Sequence, residues 1–168
     1  MKDHHQPKQG YLVIYYPLIL IIAYITGVSY ITSSYVHHVA WHSWMNHFMA
    51  GFFLVFSAFK LLDLPGFVTA YASYDILAAK WRSYGYIYPF LELLLGVAYL
   101  SQPVHSTVLV ITILLMGFSS IGVIHALLKK RSIACACLGT ALKLPMSGIT
   151  LIEDTFMVVM ALIMLILK

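Results

Sequence analysis

Residues 107–131 read TVLVITILLMGFSSIGVIHALL and then KKR: Thr107 to Leu128 contains no Asp, Glu, Lys or Arg, and the run stops at Lys129, Lys130 and Arg131. About 20 apolar residues in an α-helix span the hydrocarbon core of a bilayer, and a basic cluster beyond them sits at the headgroups on the cytoplasmic side. This stretch therefore predicts a membrane helix. The whole chain supports it, with 61% hydrophobic and 10% charged residues over 168 positions, against about 25% charged in an ordinary soluble domain. Such a chain cannot coat itself with water-compatible surface. That excludes a soluble globular enzyme, a disordered tail and a nucleic-acid-binding module. The formal charge of +4 calls for no polyanionic partner, because Lys and Arg flank membrane helices for topological reasons.

Four further apolar runs have the length of a span: Tyr11 to Ile31, Phe48 to Leu64, Gly85 to Leu100 and Ser147 to Leu167. Pro17 and Gly27 are expected to bend or loosen the first. Its length, with no small-residue cleavage site behind it, reads as a retained helix rather than a secretory signal. Placing the basic residues between these runs puts Lys2, Lys8, Lys60, Lys80, Arg82, Lys129, Lys130, Arg131 and Lys143 on one side and only Lys168 on the other. By the positive-inside rule this predicts an all-α, polytopic membrane bundle of about five transmembrane helices in a cell inner membrane. The N-terminus is then cytoplasmic, the C-terminus external, and the lipid bilayer the first partner. Tyr30, Tyr35, Trp41 and Trp44 read as the outer aromatic belt, and Tyr74, Trp81, Tyr84 and Tyr86 as the inner one.

Few residues are left to carry chemistry. Cys135 and Cys137 are too few and too close to staple a secreted fold. Lys129, Lys130, Arg131 and Lys143 flank them, and neighbouring cations favour the thiolate, the reactive form. Two thiolates one residue apart suit a soft ion such as Cu(I). They can also close a disulfide if the backbone turns, which Gly139 makes feasible nearby. In a reducing compartment two small half-buried residues are the simpler reading. Met146 is a candidate thioether ligand beside the pair or, more simply, a packing residue.

Intramembrane acids are the second signal, because charge inside a bilayer is costly. Glu92 lies about seven residues into its span, roughly 10 Å deep at 1.5 Å per residue, and Lys60 is its expected partner. Lys60 and Asp63 are three apart and predicted to share a helical face. Glu153 and Asp154 fall in the first two turns of the last span, a shallow position favoured by the helix dipole. The third signal is His37, His38, His42 and His47 in a predicted outer loop, with Met45 and Met49 close by. In a helix, His38 and His42 would share a face and suit a metal, and interfacial histidines beside Trp41 and Trp44 are the alternative. His4 and His5 sit in a polar tail. No Walker loop, dinucleotide fingerprint, nucleophile elbow or HExxH motif occurs, so nucleotide hydrolysis, hydride transfer and metalloproteolysis have no support.

The stretch from Gly51 through Lys60 to Asp63, then Phe67 and Tyr74, then Pro89 through Glu92 to Gly96, resembles the MauE/DoxX-like family of small membrane proteins. Cys135-Ala136-Cys137-Leu138-Gly139 resembles the CxCxG pattern of its MauE branch. On these residues the resemblance covers about 48–168. It implies a four-helix membrane domain over 48–168, preceded by an extra helix and His-rich loop over 11–47 and a polar tail over 1–10. It also implies thiol-redox work at the membrane, the family being linked to maturation of the disulfide-rich subunit of methylamine dehydrogenase. Cys135 and Cys137 would then be the redox pair, and Lys60, Asp63 and Glu92 would match the family's polar helix-pair positions. Three readings stand side by side: a thiol-redox protein exchanging electrons or disulfides with a partner protein, a handler of Cu(I) or another soft ion exchanging it with a metal carrier, and a non-catalytic structural subunit.

Overall fold

A computed structural model describes residues 11–37, 41–101, 104–128 and 148–167. Among them are seven helices and no strand: α1 (Tyr11–His37), α2 (Trp41–Leu62), α3 (Leu64–Tyr71), α4 (Ile76–Lys80), α5 (Arg82–Leu100), α6 (Ser106–Leu128) and α7 (Gly148–Ile166). The segment Tyr16–Tyr35 of α1, together with α2 and α6, is long and apolar enough to cross a membrane. Helices α5 and α7 have 19 residues each, roughly 28 Å at 1.5 Å per residue, close to the thickness of a hydrocarbon core. Both carry acids in their interior. Large apolar side chains such as Leu94, Leu114, Ile152 and Ile166 point outward all around the bundle, a surface that a soluble monomer rarely exposes and lipid accepts.

The inward faces follow a spacing of three and four. Helix α5 buries Gly85, Tyr88, Pro89, Glu92, Leu95, Gly96 and Tyr99, and α6 buries Leu109, Thr112, Met116, Ser119, Val123 and Ala126. On α7 the same spacing links Thr150, Glu153, Asp154, Met157, Ala161 and Met164. One stripe per helix thus faces its partners. Helix α2 packs mainly on α5, with α1 on its other side, and α6 pairs with α7. Contacts of α2 with α7 and of α5 with α6 close the bundle. Hydroxyls within the helices return to the backbone, as Thr26 Oγ1 does to the Ile22 carbonyl (2.8 Å) and Ser120 Oγ to that of Met116 (2.9 Å). Such bonds keep polar groups satisfied where water is absent.

Two boundaries depart from the sequence reading. Helix α2 begins at Trp41 rather than Phe48, so His42, Met45 and His47 are helical rather than in a loop. The reason is packing: Met45 and Met49 continue the stripe of Phe48, Phe52 and Phe56 and are buried with it. The connection from α2 to α5 contains α3 and α4, which the hydropathy pattern did not reveal. Both announce themselves by caps. The Asp63 side chain accepts from Gly66 N at 3.1 Å, with Pro65 in the first turn, a common helix start. Asp63 thus ends the face it was expected to share with Lys60.

Asp75 Oδ1 accepts from Leu77 N at 3.0 Å and Ala78 N at 2.8 Å at the head of α4. A Cβ on Gly122 of α6 would lie 3.2 Å from Asp75 Cα and 3.3 Å from the Tyr74 carbonyl oxygen, so this turn rests directly on α6. Asp75→Ala is expected to lower stability by about 0.5–2 kcal/mol, read as a drop in the unfolding temperature of the purified protein. Asp75→Asn should recover most of it, and an unchanged midpoint for Asp75→Ala would show that the cap is dispensable.

Candidate functional site

Lys60 stands two residues before the end of α2, on the face turned to α5. Its Nζ donates to both carboxylate oxygens of Glu92 at 2.5 Å. Both side chains are buried, Lys60 at 7% exposure and Glu92 at 1%. The pairing expected from the sequence is present, but it lies deeper than expected. Helix α5 starts at Arg82, so Glu92 is ten residues along it, about 15 Å, rather than roughly 10 Å. The ammonium also faces aromatic rings, with centroids of Tyr88 at 5.1 Å and Phe67 at 5.6 Å. An ammonium in this setting is held by one carboxylate and two π-faces instead of water.

A small cavity adjoins this pair. It offers about 20 Å³ to the centre of a water-sized sphere, room for about one water molecule. Aromatic side chains wall one part, and Lys60, Glu92, Ser119, Thr150, Glu153 and Asp154 supply the polar lining. Glu153 and Asp154 therefore require a correction. They lie in the first two turns of α7 but turn inward: exposure is 9% and 7%, and both line the same cavity as Lys60 and Glu92. Their place on the Thr150, Met157, Met164 stripe of α7 decides this, and that spacing was available in the sequence. Glu153 Oε1 and Asp154 Oδ2 have no hydrogen-bond partner among the described residues.

The sequence reading also missed the tyrosines. Tyr71, Tyr74 and Tyr88 are buried around the cavity, with Tyr71 and Tyr88 ring centroids 4.7 Å apart and Tyr71 perpendicular to Tyr74 at 5.5 Å. Tyr74 thus belongs to the interior rather than to an inner aromatic belt, because the α3–α4 turn folds it against α6. Trp81 and Tyr86 remain exposed.

The described members of the outer cluster turn to other contacts. Met45 and Met49 are spent in the core, at 1% and 0% exposure, and His47 Nδ1 lies 2.7 Å from the Ser43 carbonyl oxygen, one turn back on its own helix. Among the described residues no group of three or more His, Cys, Asp or Glu is arranged to hold a metal. Cys135, Cys137, Met146 and His38 lie outside the described residues. The segment that holds the cysteines leaves α6 at Leu128 and rejoins at Gly148 of α7. Ser119 is nine residues before that exit and Glu153 five after that return, so the cavity occupies the half of the bundle to which the cysteine segment is tied.

A family model described as methylamine utilisation protein MauE matches residues 17–167. The chain belongs to the MauE family. The match takes in α1 and the His-containing start of α2, N-terminal to the stretch from residue 48 on which the resemblance was drawn. All the residues of the cavity fall within it. No curated protein and no solved structure matches the chain. With its apolar helices, this MauE-family chain is a helical membrane protein.

Proposed function

We propose that the chain is a multi-pass inner-membrane protein of thiol-redox type, in which Cys135 and Cys137 cycle between dithiol and disulfide against the thiols of a partner protein. The observation that carries this reading is the cysteine pair itself, set among four basic residues in the segment tied to the charged half of a MauE-family bundle. A thiolate is the attacking species in exchange, and nearby cations raise its share. A partner thiolate attacks one sulfur of the Cys135–Cys137 disulfide and releases the other as thiolate. The partner's second thiolate then attacks the partner sulfur of the mixed disulfide. The partner ends as a disulfide, the pair as a dithiol, and two electrons and two protons have moved. The reverse sequence reduces a partner disulfide.

The family's name attaches it to methylamine utilisation, and a disulfide-rich protein of such a system is the partner this reading expects. The positive-inside arrangement puts the N-terminus and the cysteine segment in the cytoplasm. A protein oxidised on the outer face therefore requires a second membrane partner with its own redox pair to pass electrons across.

The test is to purify the protein, block free thiols before and after reduction, and measure bound copper and zinc. One oxidisable pair per chain with no stoichiometric metal is expected. A single Cys135→Ser or Cys137→Ser substitution should abolish the pair and leave a trapped mixed disulfide. Stoichiometric copper lost in the double variant would replace this reading with soft-metal handling. Neither metal nor an oxidisable pair would leave a structural subunit.

A further inference from the structure

The charge inside the cavity does not balance as drawn. Among the described residues Lys60 is the only basic one on its lining, and Glu92 already neutralises it. Glu153 and Asp154 add two further carboxyl groups, each more than nine-tenths buried, with Oε1 and Oδ2 lacking a partner. An isolated carboxylate moved from water into a low-dielectric interior is strongly disfavoured unless a charge or hydrogen-bond donor compensates it. Positive charge must therefore enter with them. No metal-binding group assembles among the described residues, and the space admits only one water-sized particle.

We infer that Glu153 and Asp154 form a proton-holding site, in which their carboxyl groups carry exchangeable protons at neutral pH and share one enclosed water with the Lys60–Glu92 pair. A carboxylic acid has a donor where a carboxylate has none, so protonation lets the two acids bond to one another's acceptors or to that water. The groups facing them come from every element packed around the cavity: Lys60 of α2, Tyr71 of α3, Asp75 of the turn before α4, and Glu92 of α5. Ser119 of α6 adds a hydroxyl. Of these, Lys60, whose charge is shared with Glu92, and the Ser119 hydroxyl beside Asp154 favour the ionised form, and the remaining acids and buried tyrosines oppose it. Tyr74 and Tyr88 complete the aromatic part of the lining.

The site stands apart from the thiol reading, because neither cysteine takes part in it. If both hold, it is a nearby source and sink for the protons that accompany dithiol–disulfide exchange.

Infrared spectroscopy of the purified protein in lipid tests the inference directly. The chain has only six Asp and Glu residues, so a protonated-carboxyl band is assignable. At neutral pH the wild type is expected to show this band, shifted in heavy water. Glu153→Gln and Asp154→Asn should each remove about half of it, and the double variant all of it. Should the double variant fail to fold, the single variants carry the assignment. Absence of the band in the wild type, or its survival at full strength in both single variants, would overturn the inference. So would a band seen only when sodium, potassium and ammonium are left out, which would assign the site to a monovalent cation. The measurement needs no reactive thiol, so failure here and failure of the thiol reading are separate results.

Discussion

Lys60→Met is expected to destabilise the protein by about 3–5 kcal/mol, the usual cost of removing one partner of a buried ion pair. The cost arises from the partner left behind. Glu92 is 1% exposed, and its two oxygens bond to the Lys60 ammonium; without it, a carboxylate would face Phe67, Tyr88 and two further acids. Methionine nearly matches the lysine stem in volume, so the loss reads charge rather than packing. The decisive comparison is Lys60→Met with Glu92→Leu, which removes both charges and should recover most of the stability. Unfolding temperatures of the purified variants in detergent check this. If the single Lys60 variant unfolds with the wild type, the pair is not what locks α2 to α5. Lys60→Arg should also fail to restore wild-type stability, because a planar guanidinium does not reproduce the single ammonium held between the Glu92 carboxylate and the Tyr88 and Phe67 rings.

Gly96→Val should be the second large effect, from the same helix pair by a different cause. A Cβ at Gly96 would stand 2.9 Å from Leu54 Cγ, 3.0 Å from Cδ2 and 3.1 Å from the Leu54 backbone nitrogen. A rotamer change can move Cδ2, but the backbone nitrogen cannot move without the helix. Helices α2 and α5 approach closely because a glycine lets them, as small residues do at membrane helix contacts. Gly96 lies one turn beyond Glu92 on the same face, so forcing the helices apart also stretches the Lys60–Glu92 bonds. A loss of about 1–3 kcal/mol is expected from overpacking, with Gly96→Ala intermediate. Gly117→Ala on α6 is the control: nothing lies within 4 Å of its added Cβ, and helix propensity favours alanine by about 0.5–1 kcal/mol. Equal unfolding temperatures for the Gly96 and Gly117 variants would refute the close-contact account.

Much of the fold was legible because lipid imposes a coarse rule. Apolar runs marked all five long helices, although three of the runs carry one or two charged residues. Glu92 and Lys60 were legible as a pair because each is an isolated charge in an apolar run and has few possible partners. Glu153 and Asp154 were misread in the direction they face. Distance from a helix start says how far along a residue lies, but the three-and-four spacing with Met157 and Met164 says which way it faces. Met45 was misread in the same way, and its stripe with Phe48, Met49, Phe52 and Phe56 carries it into the core. Helices α3 and α4 are too short for a hydropathy window, and only Asp63 with Pro65, and Asp75 before an apolar run, marked them.

The sequence alone determined the solvent, the helical class and the shortness of the list of polar residues, because each follows from composition and from periodicity along one chain. Only the tertiary structure decided that Lys60, Glu92, Glu153 and Asp154 share one cavity walled by Tyr71, Tyr74 and Tyr88. These residues come from helices far apart in the chain, and their meeting depends on how α2, α5, α6 and α7 turn their faces to one another. That rotation is set by glycine contacts and side-chain packing across helices, which no single run of residues encodes.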